Sequence, residues 1–158
     1  MASFPKTLVV EDDPNTALLL NLAFKKAGIT SPMHFVNDGA EAIQYLGGKE
    51  LFNNVASSTL PGLMLLSQGG SRLSGFSVLR WLWLRPHLRP SCVVVLSTSN
   101  SPKDMAQATL LGADHCLMKP ADPANYSALV ETLQQFCKSK RVPLEPPDAG
   151  RQLNWAAA

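Results

Sequence analysis

The chain has 158 residues, of which 46% are hydrophobic, and this bounds it to one domain with a core of ordinary size. A formal charge of +2, carried by scattered basic residues, gives no basis for a nucleic-acid surface, and no apolar run is long enough to span a bilayer. Cys92, Cys116 and Cys137 are widely spaced on apolar segments and read as reduced thiols of a cytoplasmic protein, not as a disulfide or zinc framework.

Lys6 to Val10 is the first expected strand, and Glu11-Asp12-Asp13-Pro14 ends it. Asp13 is placed as N-cap and Pro14 at the first position of a helix that runs to about Ala27, where Gly28 stops it. Pro32 to Val36 is a short second strand. Asn37-Asp38-Gly39 then caps a second helix, which carries Ala42, Ile43 and Leu46 at helical spacing and ends at Gly47-Gly48. Residues 49–61 form a loop. Four apolar residues, Leu63-Met64-Leu65-Leu66, follow as a strand buried on both faces, bounded by Ser67-Gln68-Gly69-Gly70.

After a Gly- and Ser-rich loop to Gly75, a third helix turns Val78, Leu79, Leu82 and Trp83 inward, and Pro86 and Pro90 close it. Trp81 and Trp83, two residues apart, cannot both point inward, so one is expected to be partly exposed. Arg80, Arg85, His87 and Arg89 read as a solvated helix end. The strand Val93 to Leu96 ends in Ser97-Thr98-Ser99-Asn100, and a fourth helix runs from Ser101-Pro102 through Leu111 to a stop at Gly112. Asp114 to Met118 is the fifth strand, with His115 facing solvent. Asp122-Pro123 repeats the cap-then-proline device before a last helix that presents Tyr126, Leu129, Val130, Leu133, Phe136 and Cys137 along one side. From Lys138 the proline-rich sequence reads as an extended tail that frays, the alternative being one that docks on a partner subunit.

Strands alternating with helices imply an α/β three-layer sandwich around a parallel sheet, with right-handed crossovers. In such sheets ligands sit beyond the carboxyl ends of the strands. Four strand ends converge there on Glu11, Asp12, Ser67, Ser97 and Lys119.

The stretches LVVEDDPN, NDGAEAIQYL, SGFSVLRWL, VVVLSTSNSP, LLGAD and LMKPAD, in that order and within residues 6–137, resemble the receiver domain of two-component response regulators. The likeness is to the stand-alone, phytochrome-associated kind. It implies a CheY-like (flavodoxin-like) fold with a five-stranded parallel sheet in the order 2-1-3-4-5, a receiver-like domain over residues 1–137 and a tail over 138–158. In that family an acidic pair holds magnesium, an aspartate on the third strand accepts a phosphoryl group from a histidine kinase, and a hydroxyl and a lysine attend it. The resemblance places the acidic pair at Glu11 and Asp12, the switch hydroxyl at Ser97, and the phosphate-contact lysine at Lys119, before a cis Pro120. The phosphoacceptor position is held by Ser67.

Serine is a weak nucleophile without an activating base, and magnesium prefers carboxylate oxygens. The expectation is therefore weak Mg2+ binding at Asp12, no required cofactor, and no acyl phosphate at residue 67. Further departures fall at Gly62, Gly70-Ser71 and Ser74, and Cys116 stands where the resemblance implies a switch aromatic. Lys119 is expected to pair with Glu11 or Asp12.

The leading reading is a single-domain, non-enzymatic pseudo-receiver that acts by protein contact. Its partners would be a sensor histidine kinase, for which a phytochrome-like one is a candidate, and a second copy across helix 4, strand 5 and helix 5, where Met105, Ala108, Tyr126 and Leu129 are candidates. Two alternatives stand beside it: phosphorylation on Asp12 or Asp13, and a Ser67–Lys119 hydrolase.

Overall fold

Five short, apolar, β-branched or leucine-rich segments supply the middle layer: β1 (Thr7–Val10), β2 (Met33–Val36), β3 (Leu63–Gln68), β4 (Cys92–Ser97) and β5 (His115–Met118). In the computed structural model, which describes residues 4–47, 60–68, 75–98 and 101–140, they form one parallel sheet in the order β2-β1-β3-β4-β5. Among the described residues five α-helices connect and cover them: α1 (Pro14–Lys26), α2 (Gly39–Gly47), α3 (Gly75–Trp83), α4 (Pro102–Leu110) and α5 (Tyr126–Ser139). This is the strand order that the sequence resemblance implies.

The two-residue pleat sorts the strand side chains into two cores. Val9, Leu63, Leu65, Val94 and Leu96 meet Leu20 and Phe24 of α1 and Leu129, Leu133 and Cys137 of α5. Leu8, Val10, Met64, Leu66, Val93 and Val95 meet Tyr45 and Leu46 of α2, Leu79 and Leu82 of α3, and Ala108 of α4. The inner strands β3 and β4 are covered on both faces, which is why their sequence runs apolar without alternation. Each buried Leu or Val contributes about 1.5–3 kcal/mol relative to exposure.

Helix boundaries follow capping chemistry. Asp13 accepts hydrogen bonds from the N–H groups of Asn15 and Thr16 and, at 2.7 Å, from the Thr16 hydroxyl; Pro14 occupies the first turn. Gly28, at φ +79°, ends the α1 connection in the left-handed region that glycine adopts at least cost. Gly112, at φ +102°, does the same after α4. Asp122 accepts from the N–H of Ala124 at 3.0 Å, as the cap-then-proline pattern predicts.

Several expectations change. On α2 the inward residue beside Ala42 and Leu46 is Tyr45, stacked on His34 at a centroid distance of 4.9 Å, while Ile43 is half-buried. Trp83 points outward at 64% exposure, and Trp81 is the half-buried member of the pair, its ring under the Arg85 guanidinium at 4.5 Å. His115 does not face solvent freely: its ring stacks on Phe136 at 3.5 Å. Arg89 is part of a partly buried ion pair with Asp114, not of a solvated helix end. The Lys119–Pro120 bond is trans, the form that X–Pro bonds favour by about 0.5–1 kcal/mol. Of the four candidate dimer-face residues, Ala108, Tyr126 and Leu129 are core, since their helical positions face the sheet; Met105 is half-buried. Helix α5 continues through Ser139 with Lys140 as its cap. Residues 49–59 of the loop expected at 49–61, most of the glycine-rich loop before Gly75, and the tail from residue 141 lie outside the described residues.

Candidate functional site

The strand order reverses direction between β1 and β3, and their carboxyl ends open the crevice where ligands of such sheets bind. Glu11 directly follows β1, and Ser67 is the fifth residue of β3. Parallel pairing sets Val10 opposite Leu66, so both side chains arrive at the same edge. Lys119 follows β5, and its N–H donates to the carbonyl of Ser97 at 2.8 Å, which ties the β5 end to the β4 end.

These elements bring three of the expected residues into direct contact. The Ser67 hydroxyl donates to Glu11 Oε1. Lys119 Nζ lies 3.0 Å from that oxygen, with the Glu11 side chain wholly inaccessible and that of Lys119 at 15% exposure. The other carboxylate oxygen, Oε2, accepts from the Asp13 N–H at 3.0 Å. Both oxygens of Glu11 are thus engaged, and its charge is balanced by an ammonium group. A buried carboxylate persists only when it is paired and hydrogen-bonded in this way.

The remaining positions are less closely joined. Asp12 is exposed, one residue beyond Glu11. Ser97 is buried at the end of β4 and pairs in register with Gln68, so the pleat puts it on the sheet face opposite to that of Ser67. Cys116, half-buried on β5, stands opposite Val95 on that same far face, and burial, followed by the negative charge of Asp104, pushes its thiol pKa up. Asp13 serves as the α1 cap, its carboxyl held below the usual range chiefly by the Thr16 hydroxyl.

Magnesium requires several hard oxygen ligands at near-octahedral angles. Among the described residues no group of three His, Cys, Asp or Glu side chains is placed to hold a metal ion. Glu11 already carries an ammonium on the oxygen that a cation would need, and Asp12 alone is open. This donor set does not fit a tightly bound divalent ion.

A second charged cluster, which sequence reasoning missed, lies at the opposite, amino edge of the sheet. Asp114 accepts from Arg89 at 2.8 Å, from Lys140 at 2.7 Å and from the Val93 N–H at 2.8 Å. Its burial would raise the carboxyl pKa, but these three donors outweigh that and hold it below the usual value. The spacing of residues 89, 114 and 140 gives no local signal; only the sheet brings them together.

Residues 7–131 match the family model for the response regulator receiver domain. Over 129 residues the chain is 30% identical to the probable methanogenesis regulatory protein FilR2 of Methanothrix harundinacea (strain 6Ac), covering 82% of this chain and 81% of that protein. Among solved structures it is similar to the response regulator RPA3017 in red light signalling of R. palustris, at 30% identity and TM-score 0.78, over 90% of this chain and 99% of that one. The phosphorylated cyanobacterial phytochrome response regulator RcpA matches with the same TM-score, 0.78, and the same coverages, 90% and 99%, at 27% identity. No helix among the described residues is long and apolar enough to cross a membrane.

Proposed function

The chain belongs to the response regulator receiver domain family of two-component signalling, and we propose that within it this domain works by protein contact, without aspartyl phosphorylation at position 67. The observation that carries the reading is the closed cluster of Ser67, Glu11 and Lys119. A receiver that accepts phosphate needs an ionised carboxylate at the end of β3 and open oxygens for a divalent cation. Here a hydroxyl stands at that position, and a lysine ammonium occupies the acidic pocket. An internal cation sits where an incoming metal and phosphoryl group would have to be accommodated, so the buried Glu11 charge is already balanced.

The partner on this reading is a sensor histidine kinase, and the likeness to RPA3017 and RcpA favours one of phytochrome type. A second copy is a further partner, across α4, β5 and α5, where Leu110 and Met118 are the exposed apolar residues. Magnesium, bound weakly at Asp12, is the most metal chemistry these residues support, and no cofactor is required. The cluster lends no support to a hydrolase: an ammonium engaged by Glu11 has no lone pair to take the Ser67 proton.

Incubation with a phytochrome-type histidine kinase carrying labelled phosphohistidine tests the proposal. The expected result is stable capture of the kinase with no label retained on this chain. Hydroxylamine-sensitive label on Asp12 or Asp13 would instead establish the alternative acceptor.

A further inference from the structure

At the amino edge of the sheet, between the C-terminal ends of α3 and α4, an open groove of about 280 Å³ is lined by Leu82, Trp83, Pro86 and Leu111, with Arg89 at its rim. It lies below the roughly 300–1,000 Å³ of cavities that enclose small ligands, and its size suits an inserted apolar side chain. Trp83 is 64% and Leu84 76% exposed. The Trp83 ring lies against Gly112, 3.8 Å from the place a Cβ would occupy there, so the indole forms a wall of the groove while much of it stays in water. An aromatic wall beside an exposed leucine is an apolar surface of the kind that takes a partner.

The charge around the groove specifies the chemistry of that partner. Residues 51–103 contain no aspartate or glutamate, and Arg80, Arg85 and Arg89 all fall among them. Arg80 is exposed one helical turn before Trp83, at the i, i+3 spacing that puts both on one side of α3. Arg85 stacks on the Trp81 ring at 4.5 Å and donates to the Trp81 carbonyl at 3.1 Å; among the described residues no carboxylate pairs with it. A guanidinium carries several N–H donors, so Arg85 keeps donors for an incoming carboxylate. Arg89 is already engaged, by the Gly112 carbonyl at 2.6 Å and by Asp114 at 2.8 Å, and Asp114 also holds Lys140. Asp104 lies at the other end of α4. The groove is therefore apolar within and cationic around. A second copy suits it poorly, since isologous pairing on this face would set Arg80 and Arg85 against their own counterparts. A bilayer is met by an apolar face that projects, whereas this one is recessed.

We propose that the α3–α4 groove docks an acidic segment of a partner protein, which seats a leucine or phenylalanine against Trp83 and lays flanking carboxylates on Arg80 and Arg85. The surface lies at the edge of the sheet opposite the Glu11, Ser67 and Lys119 cluster, so the inference stands apart from the reading of that cluster.

A library of random peptides selected against the full chain, with the Trp83→Ala variant as counter-selection, supplies the probe. The enriched sequences are expected to carry leucine or phenylalanine beside aspartate or glutamate. The most enriched peptide, synthesised and titrated by fluorescence anisotropy, is expected to bind Trp83→Ala roughly thirtyfold or more weakly, as when an aromatic anchor is cut from the centre of an interface. Arg80→Glu and Arg85→Glu should each weaken it by roughly tenfold, and added salt should weaken binding to the wild type. Arg80 and Trp83 are both exposed, so changing them leaves the core intact. With 15N-labelled protein the peptide should move the Trp83 indole and Gly112 amide resonances and leave those of Glu11 and Lys119 in place. No sequence enriched over the variant, enriched peptides without acidic residues, or equal affinity for wild type and the arginine variants would overturn the proposal. So would a wild-type dimer in sedimentation, or binding to phosphatidylserine vesicles, that Trp83→Ala abolishes; these would give the groove to a second copy or to a membrane.

Discussion

Lys119 Nζ stands 3.0 Å from Glu11 Oε1, and the carboxylate it neutralises is completely shut off from solvent. The ion pair joins the end of β1 to the end of β5 across the two intervening strands, β3 and β4, and the Ser67 hydroxyl, from β3, donates to the same oxygen. The pocket is thus held by its own charges.

The first prediction follows from that closure. Lys119→Met leaves a buried carboxylate with no cation, and breaking one partner of a buried pair costs about 3–5 kcal/mol. Urea unfolding is expected to show a loss of that size. The double variant Glu11→Gln, Lys119→Met removes the stranded charge and should recover most of it. A cost for Lys119→Met below about 1 kcal/mol, the range of surface pairs, would mean that Glu11 is not held by this contact.

Restoring a carboxylate should reopen the metal chemistry. Ser67→Asp places a second anionic oxygen ligand beside Asp12 and gives Lys119 a competing partner, so Glu11 is released in part. Magnesium affinity is expected to rise by roughly tenfold or more, read by calorimetric or fluorescence titration. An unchanged titration would show that the pocket is reshaped beyond the one missing group.

At the other edge, burial would raise the Asp114 carboxyl pKa, but Lys140, Arg89 and the Val93 N–H together hold it below its ordinary value. A carboxyl with a depressed folded pKa stabilises the fold fully above its unfolded pKa, and that contribution is lost as pH falls towards the folded value. Asp114→Asn is therefore expected to cost on the order of 1–3 kcal/mol between pH 5 and 7. The gap between wild type and variant should narrow as the pH drops below about 4, measured by thermal unfolding across the acid range. A gap that stays constant down to pH 2 would exclude the ionised carboxylate as its source.

The strands, the helices and the contents of the acidic pocket were legible in the sequence for different reasons. Leu63 to Leu66 announced a doubly covered strand because no polar residue interrupts it, and Asp13-Pro14 announced a helix start because cap and ring act locally. The Glu11, Ser67 and Lys119 cluster was legible because alternating strands and helices gather the strand ends at one edge of a parallel sheet, and the resemblance added the strand order that no local pattern encodes. What could not be read is what depends on the rotation of a helix or on distant partners. Trp81 and Trp83 have equal claims on the core until the α3 phase is fixed by Leu79 and Leu82, and Tyr45 displaces Ile43 for the same reason. The Arg89, Asp114 and Lys140 cluster joins residues that only the folded sheet makes neighbours.

The three cysteines allow a last prediction, because the fold treats them unequally. Burial pushes the Cys92 thiol up to about 11 and the Cys137 thiol up to about 12, and both side chains are at most 1% exposed. Reaction with an alkylating reagent needs both the thiolate and access, and at pH 8 a thiol of pKa near 11 is ionised to only ~0.1%. Cys116 is also shifted upward, by burial and then by Asp104, yet it is half-buried on β5 next to the end of the chain's edge strand. Native protein treated with a maleimide at pH 8 is thus expected to acquire one label, at Cys116, more slowly than a free thiol does. Denaturant should then expose Cys92 and Cys137 together, since both lie in the core shared by β4 and α5 and become accessible only when that core opens. Labelling of Cys137 before unfolding would show that α5 detaches from the sheet by itself, and the packing of Leu129, Leu133 and Cys137 against Val94 and Leu96 would then be weaker than their burial implies.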